Sequence, residues 1–295
     1  MKRRQTGVAL VLVLWVITLL AVIAGNFAFS MRGEAQIARN LISTAKAQAL
    51  ADAGVQRAWF ELLKPPTDPQ RWQANGVKHA FTLDGTLLTV SIHDESGKID
   101  LNAAPDALIK SLFVAMGLSE AASVTLLDVV LDWRDTDNLK RLHGAEDDDY
   151  RAVGKNYLPP NGPFETVDEL QRVLGMTAEL YRKLAPALTV YSRQRGVNTA
   201  VAPREVLLAL PGVNPALVEQ YLVQRQSLLD SGQAAPAFSG AGPFASVLTG
   251  FPAYAVRCEV KIPDGAVFVR QAVARLTQDP KRPVAVLAWG EGVSE

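Results

Sequence analysis

The stretch from Asp128 to Asp149 carries eight carboxylates, Asp128, Asp132, Asp135, Asp137, Glu146, Asp147, Asp148 and Asp149, against only Arg134, Lys140 and Arg141. Like charges at this density repel one another unless a cation intervenes. Oxygen donors with no cysteine, and with His143 as the single nitrogen donor of the stretch, favour calcium over zinc. Asp135, Asp137 and Glu146 fall at positions 1, 3 and 12 of an EF-hand count, but Leu139 stands where the position-5 oxygen donor belongs and Lys140 where the position-6 glycine belongs. The pattern therefore predicts a calcium loop that is not an EF-hand. A solvated acidic loop is the plainer alternative.

Other chemistry is thinly represented. His79, His93 and His143 are scattered, and no nucleophile motif, phosphate loop or metal-hydrolase spacing surrounds them. Cys258 sits in a stretch that reads as strand, where a small buried apolar role suits it better than nucleophilic chemistry. The paired carboxylates could imitate a glycosidase, but nothing in the sequence aims them at a cleft, so a membrane-anchored hydrolase is a minor alternative and no enzymatic activity is expected. Residues Leu207 to Leu217, with Pro211-Gly212, resemble a helix-hairpin-helix, and Leu170 to Leu184 around Gly175 is a looser copy. Asn214 replaces the second hairpin glycine, and Arg204 and Arg225 are offset by Glu205 and Glu219, so internal packing is expected rather than nucleic-acid binding. A pilin-like DNA-uptake protein is the corresponding alternative.

The 295-residue chain is 48% hydrophobic and 20% charged, with 30 basic and 30 acidic residues. It can bury a real core and has no overall field for nucleic acid or anionic lipid. From Val8 to Met31 no charged residue appears, giving about 36 Å of helix, enough to cross a bilayer core of about 30 Å. Lys2, Arg3 and Arg4 place the preceding end in the cytoplasm and the chain beyond Met31 outside. No proline intervenes before Pro65-Pro66, so one helix from Val8 to Leu63 is expected, about 84 Å long. Ile37, Leu41, Ala45, Ala49 and Ala53, extended by Trp59, Phe60 and Leu63, are read as its inward face. Strands are expected at Ala80 to Asp94 with a turn at Asp84-Gly85, at Ala255 to Ile262 and Val267 to Leu276 around Pro263-Asp264-Gly265, and at Val284 to Trp289. Between them the period turns helical, at Ser111 to Phe113, Val124 to Trp133, Val167 to Leu174, Ala178 to Leu188 and Val206 to Leu210. The fold class is α+β: a long N-terminal helix packed on a small antiparallel sheet, with a large all-helical inserted domain. The expected divisions are 1–7 leader, 8–31 membrane segment, 32–102 helix and first strands, 103–235 helical insertion, and 236–295 final strands.

The junction at Gly7 resembles a type IV prepilin-like signal, in which a prepilin peptidase cuts after the glycine and methylates the new terminus, here Val8. Leu12 stands at the fifth mature position, where most such proteins carry a glutamate. The segments Asp94 to Asn102, Asp132 to Asp137, Gly144 to Asp147, Pro163 to Leu170 and Val197 to Ala200 follow the order and rough spacing of the GspK family, the K-type minor pseudopilins of the type II secretion system. That resemblance implies an inner-membrane, single-pass protein with a periplasmic head. It would assemble with I- and J-type minor pseudopilins and other pseudopilins, at the tip of the pseudopilus, and prime its assembly. It also implies calcium in the acidic region, with Asp135, Asp137, Glu146 and Asp149 as first candidates and Asp132 and Asp147 next.

Overall fold

The computed structural model describes residues 7–246, 252–262 and 267–292. Residues 1–6 of the expected leader and the expected turn at Pro263-Asp264-Gly265 lie outside them. The proline-free N-terminal stretch is one helix, α1 (Gly7–Leu63), of 57 residues or about 85 Å. Its first half is exposed throughout, and it is the one described helix long and apolar enough to cross a membrane. The face that meets the sheet is Ala47, Leu50, Ala51, Val55, Ala58, Trp59 and Leu62. This corrects the expected stripe. Ile37, Leu41, Ala45, Ala49, Phe60 and Leu63 are exposed and Ala53 is partly so; of the residues read as inward, Trp59 alone is buried. A strict four-residue repeat advances 40° per step around a helix, whereas the buried face alternates steps of three and four and keeps to one side.

Small residues on that face let the helix sit close to the sheet. A Cβ at Gly54 would collide with Cys258 Sγ and come within 3.3 Å of Val90 Cγ2. Gly54→Ala would gain up to about 1 kcal/mol of helix propensity, but overpacking costs about 1–3 kcal/mol. Cys258 is fully buried and cannot swing aside, so packing wins. The variant is expected to unfold at lower urea concentration than the parent, and Cys258→Ala in the same chain should restore part of the loss. A Gly54→Ala protein as stable as the parent would show that helix and sheet have slack. Cys258 is otherwise inert, its thiol pushed up to about 12 by burial.

The strands in chain order are β1 (His79–Leu83), β2 (Thr86–Asp94), β3 (Ile99–Asp100), β4 (Leu188–Thr189), β5 (Ala253–Lys261), β6 (Val267–Leu276) and β7 (Val284–Glu291). Five of them form one antiparallel sheet in the order β1-β2-β5-β6-β7. Asp84 and Gly85 link β1 to β2 with φ of 48° and 69°, the positive pair a two-residue hairpin demands. Alternation then sets the inner face: Leu88, Val90 and Ile92 with Val256, Cys258, Val260, Ala272 and Ala274 pack under α1.

Between β2 and β5 the chain builds a second lobe with its own core. Its helices are α2 (Asp106–Ala115), α3 (Glu120–Arg134), α4 (Asp147–Ala152), α5 (Ala178–Leu184), α6 (Arg204–Leu208) and α7 (Pro215–Asp230). Two expected helices differ in detail. Val167–Arg172 is a 3-10 turn, and α5 stops at Leu184 because Pro186 follows, within a 3-10 turn at Ala185–Ala187. Leu188-Thr189 is instead the short strand β4, parallel to β3. The pattern of apolar residues does not announce α4, although Asp147, Asp148 and Asp149 in its first turn favour a helix start.

Candidate functional site

The acidic stretch begins on the last turn of α3. Asp132 lies there fully buried beside Trp133, and Asp135 caps the helix C-terminus. The chain then loops outward, with Asp137 accepting from the Leu139 amide at 2.8 Å, and returns through Gly144 to Glu146 at the start of α4. Gly144 is required for that return: a Cβ there would fall inside the Asp132 carboxylate. Asp149 closes the turn, accepting from the Glu146 amide at 2.9 Å and from Lys140 Nζ at 2.6 Å. The Lys140 contact holds its carboxyl below the ordinary range. Asp147 pairs with Arg151 at 2.8 Å, and Asp128 accepts from the His143 amide at 3.1 Å.

Glu146 is the anomaly in this arrangement. The residue is 6% exposed, its carboxylate faces the Asp149 amide across a capping box without forming a hydrogen bond to it, and Asp135 Oδ1 is buried and unpartnered as well. Burial first, then the negative neighbours Asp132, Asp135, Asp137 and Asp147, push the Glu146 carboxyl up to about 7. An acid in such surroundings calls for positive charge. Part of it comes from Arg141, which donates through Nη1 to Asp132 Oδ1 at 2.6 Å and to Asp135 Oδ2, while its amide donates to Asp132 Oδ2 at 3.2 Å. No three His, Cys, Asp or Glu side chains among the described residues form a ready metal cluster. The donor chemistry still fits an oxygen-seeking divalent ion, because the orphaned Glu146 and Asp135 oxygens face nothing that satisfies them. Asp132, Asp135, Asp137, Glu146 and Asp149 are the residues that would hold it, with Asp147 turned toward Arg151.

The sequence segments around this loop prove to be one connected scaffold. Asp100 is 1% exposed and accepts four hydrogen bonds, from the Asn102 and Ala103 amides at 2.9 and 3.1 Å, Ser192 Oγ at 3.1 Å and the Arg193 amide at 2.7 Å. Asn102 exchanges two bonds with the Phe164 backbone, each 2.9 Å. Asn198 binds Ser96 twice, amide to carbonyl at 2.8 Å and Nδ2 to Oγ at 3.2 Å. Arg134 donates to the Leu101 carbonyl. Trp133 stands at the middle, 5.8 Å from the Tyr150 ring, 6.5 Å from Tyr157 and 6.3 Å from Phe164. Apart from the local bonds from the Asn102 and Ala103 amides to Asp100, these tethers are not legible in the sequence, because they join residues far apart along the chain.

The helix-hairpin-helix-like segment is α6, a turn with Gly212 at φ 76°, and α7 capped by Asn214. Its arginines are engaged within the lobe: Arg204 pairs with Glu219 at 2.5 Å, and Arg225 donates to the Thr199 and Ala202 carbonyls at 3.0 and 2.7 Å. At the other end of the molecule, Gly7 opens α1, with Val8 and Leu12 exposed on it.

A family model described as type II secretion system (T2SS), protein K, matches residues 87–193. The chain is 32% identical over 269 residues to type II secretion system protein K of Klebsiella pneumoniae, covering 83% of this chain and 80% of that one. It is 28% identical to the protein of the same name from Pseudomonas aeruginosa, over 76% of this chain and 74% of that one. Its fold matches a chain in the crystal structure of the GspK-GspI-GspJ complex from the enterotoxigenic Escherichia coli type 2 secretion system. The TM-score there is 0.62 at 19% identity, over 90% of this chain and 99% of that chain.

Proposed function

This chain belongs to the type II secretion system protein K family, and on that premise we propose that it is a non-enzymatic minor pseudopilin that assembles with I- and J-type partners at the tip of the pseudopilus. The observation that carries this reading is the shape of the head. A five-stranded sheet on a long apolar helix is suited to packing helix against helix, but the second lobe between β2 and β5, with its own core, adds bulk that would obstruct repeated stacking along a narrow filament. A terminal place accommodates that bulk. Leu12 supports the same reading, since an uncharged side chain inside the bilayer avoids the cost of a buried carboxylate but gives up pairing with a neighbour's amino terminus. In this proposal α1 anchors the chain in the inner membrane with the head in the periplasm. Prepilin peptidase cleaves after Gly7 and methylates Val8, and calcium is a structural ion of the loop between α3 and α4. The assembly then primes pseudopilus growth for export across the outer membrane.

Antibody labelling of sheared pseudopili tests the placement. The wild-type chain, beginning at methylated Val8 by intact mass, is expected at one end only, and Leu12→Glu should relax that restriction. Label distributed along the filament in the wild type would sink the terminal assignment.

A further inference from the structure

We propose that Arg141 is an internal counter-cation that a divalent ion must displace from Asp132 and Asp135, so that this one residue sets the affinity of the loop. The proposal rests on the calcium reading above. Two observations lead to it. Arg141 makes three polar contacts to candidate ligands, two from Nη1 and one from its backbone amide, and two of them go to the fully buried Asp132. The oxygens left without partners, both of Glu146 and Oδ1 of Asp135, belong to carboxylates near enough to Asp132 and to one another to repel.

A divalent ion seated among Glu146 and Asp135 would therefore meet a fixed like charge at hydrogen-bond range of its own ligands. At that distance and in partly buried surroundings the repulsion is much larger than between solvated charges. Binding becomes an exchange, with the guanidinium swinging to solvent as the ion enters. Lys140 on Asp149 is a weaker rival, because Asp149 is part-exposed where Asp132 is fully buried and the lysine is a mobile point charge. The exchange also gives the loop a closed form before any ion arrives, with Arg141 bridging α3 to the returning chain.

The test uses the full chain in detergent, stripped with chelator and titrated with calcium chloride, read by calorimetry and thermal melting. Arg141→Met, which keeps an unbranched apolar stem without the guanidinium charge, is expected to bind calcium with a Kd at least about tenfold lower than wild type. It should also melt lower in chelator and rise further on adding calcium. Arg141→Lys should stay near wild type. If Arg141→Met does not stay folded without calcium, it is purified with the ion and its Kd read in calcium buffers set by a chelator. An Arg141→Met Kd equal to or weaker than that of a calcium-binding wild type overturns the displacement proposal alone. A wild type that binds no calcium overturns both the calcium reading and this inference.

Discussion

Trp133→Ala is expected to destabilise the inserted lobe by about 3–5 kcal/mol, the usual cost of emptying a buried tryptophan site. The indole is 2% exposed at the C-terminal end of α3, ringed by Tyr150, Tyr157 and Phe164, which arrive on three different segments. Those segments cannot close on the void together, because Asn102 fixes Phe164 by two backbone hydrogen bonds and Tyr150 accepts from the Leu174 amide at 3.2 Å. Against a total stability of about 5–15 kcal/mol the loss is large. Trp133→Phe separates packing from polarity. The indole N–H has no partner, so its removal carries no hydrogen-bond penalty and the phenyl ring should retain much of the stability. Urea unfolding of the two variants checks this, and an alanine variant within about 1 kcal/mol of wild type would mean that the aromatic ring collapses freely onto the gap.

Asp100→Ala is expected to cost about as much by a different route. Nothing large is removed, but four donors lose their acceptor at once, three of them backbone amides in part-buried positions. Each orphaned buried donor costs about 1–3 kcal/mol, and with partial rescue by water the sum is about 3–5 kcal/mol. The lost contacts straddle β3 and the segment after β4, so the variant should also expose the chain around Tyr191 to Arg195 to protease before any other part of the lobe. Asp100→Asn supplies the control: it keeps one oxygen but turns an amide group toward existing donors, and should fall between alanine and wild type. Equal stability of all three would show that the junction is held by apolar contacts instead.

The parts of this molecule that depend on local chemistry are legible in its sequence. A proline-free apolar run marks α1, Asp84-Gly85 marks the first hairpin, and the last three sheet strands fall within two residues of their expected positions. The buried face of α1 escapes such a reading because alanine and glycine make up half of it, and small residues signal close approach only once the sheet is known. Leu188-Thr189 reads as the end of a helix because a two-residue strand has no period of its own and exists through its partner Ile99-Asp100. For the candidate site, composition picks out the carboxylates. It cannot reveal that Glu146 is left unpartnered while Arg141 serves Asp132 and Asp135, since that division depends on how α3, the loop and α4 return on one another.

Strands β2 and β5 are direct neighbours, with Asp94 opposite Tyr254, although the whole inserted lobe lies between them in sequence. Topologically they form an ordinary hairpin whose turn has been replaced by a folded unit. Such a turn would be entropically expensive as a floppy chain, because closing a long loop costs more than closing a short one. One short segment holds both ends of the lobe: Asn198 binds Ser96 near the entrance, while Val197 donates to the Phe244 carbonyl and accepts from the Ser246 amide near the exit. The lobe therefore behaves as a cassette whose two ends are tied to one segment, residues 197–198. An assembly surface can be exchanged there while the host sheet keeps its register.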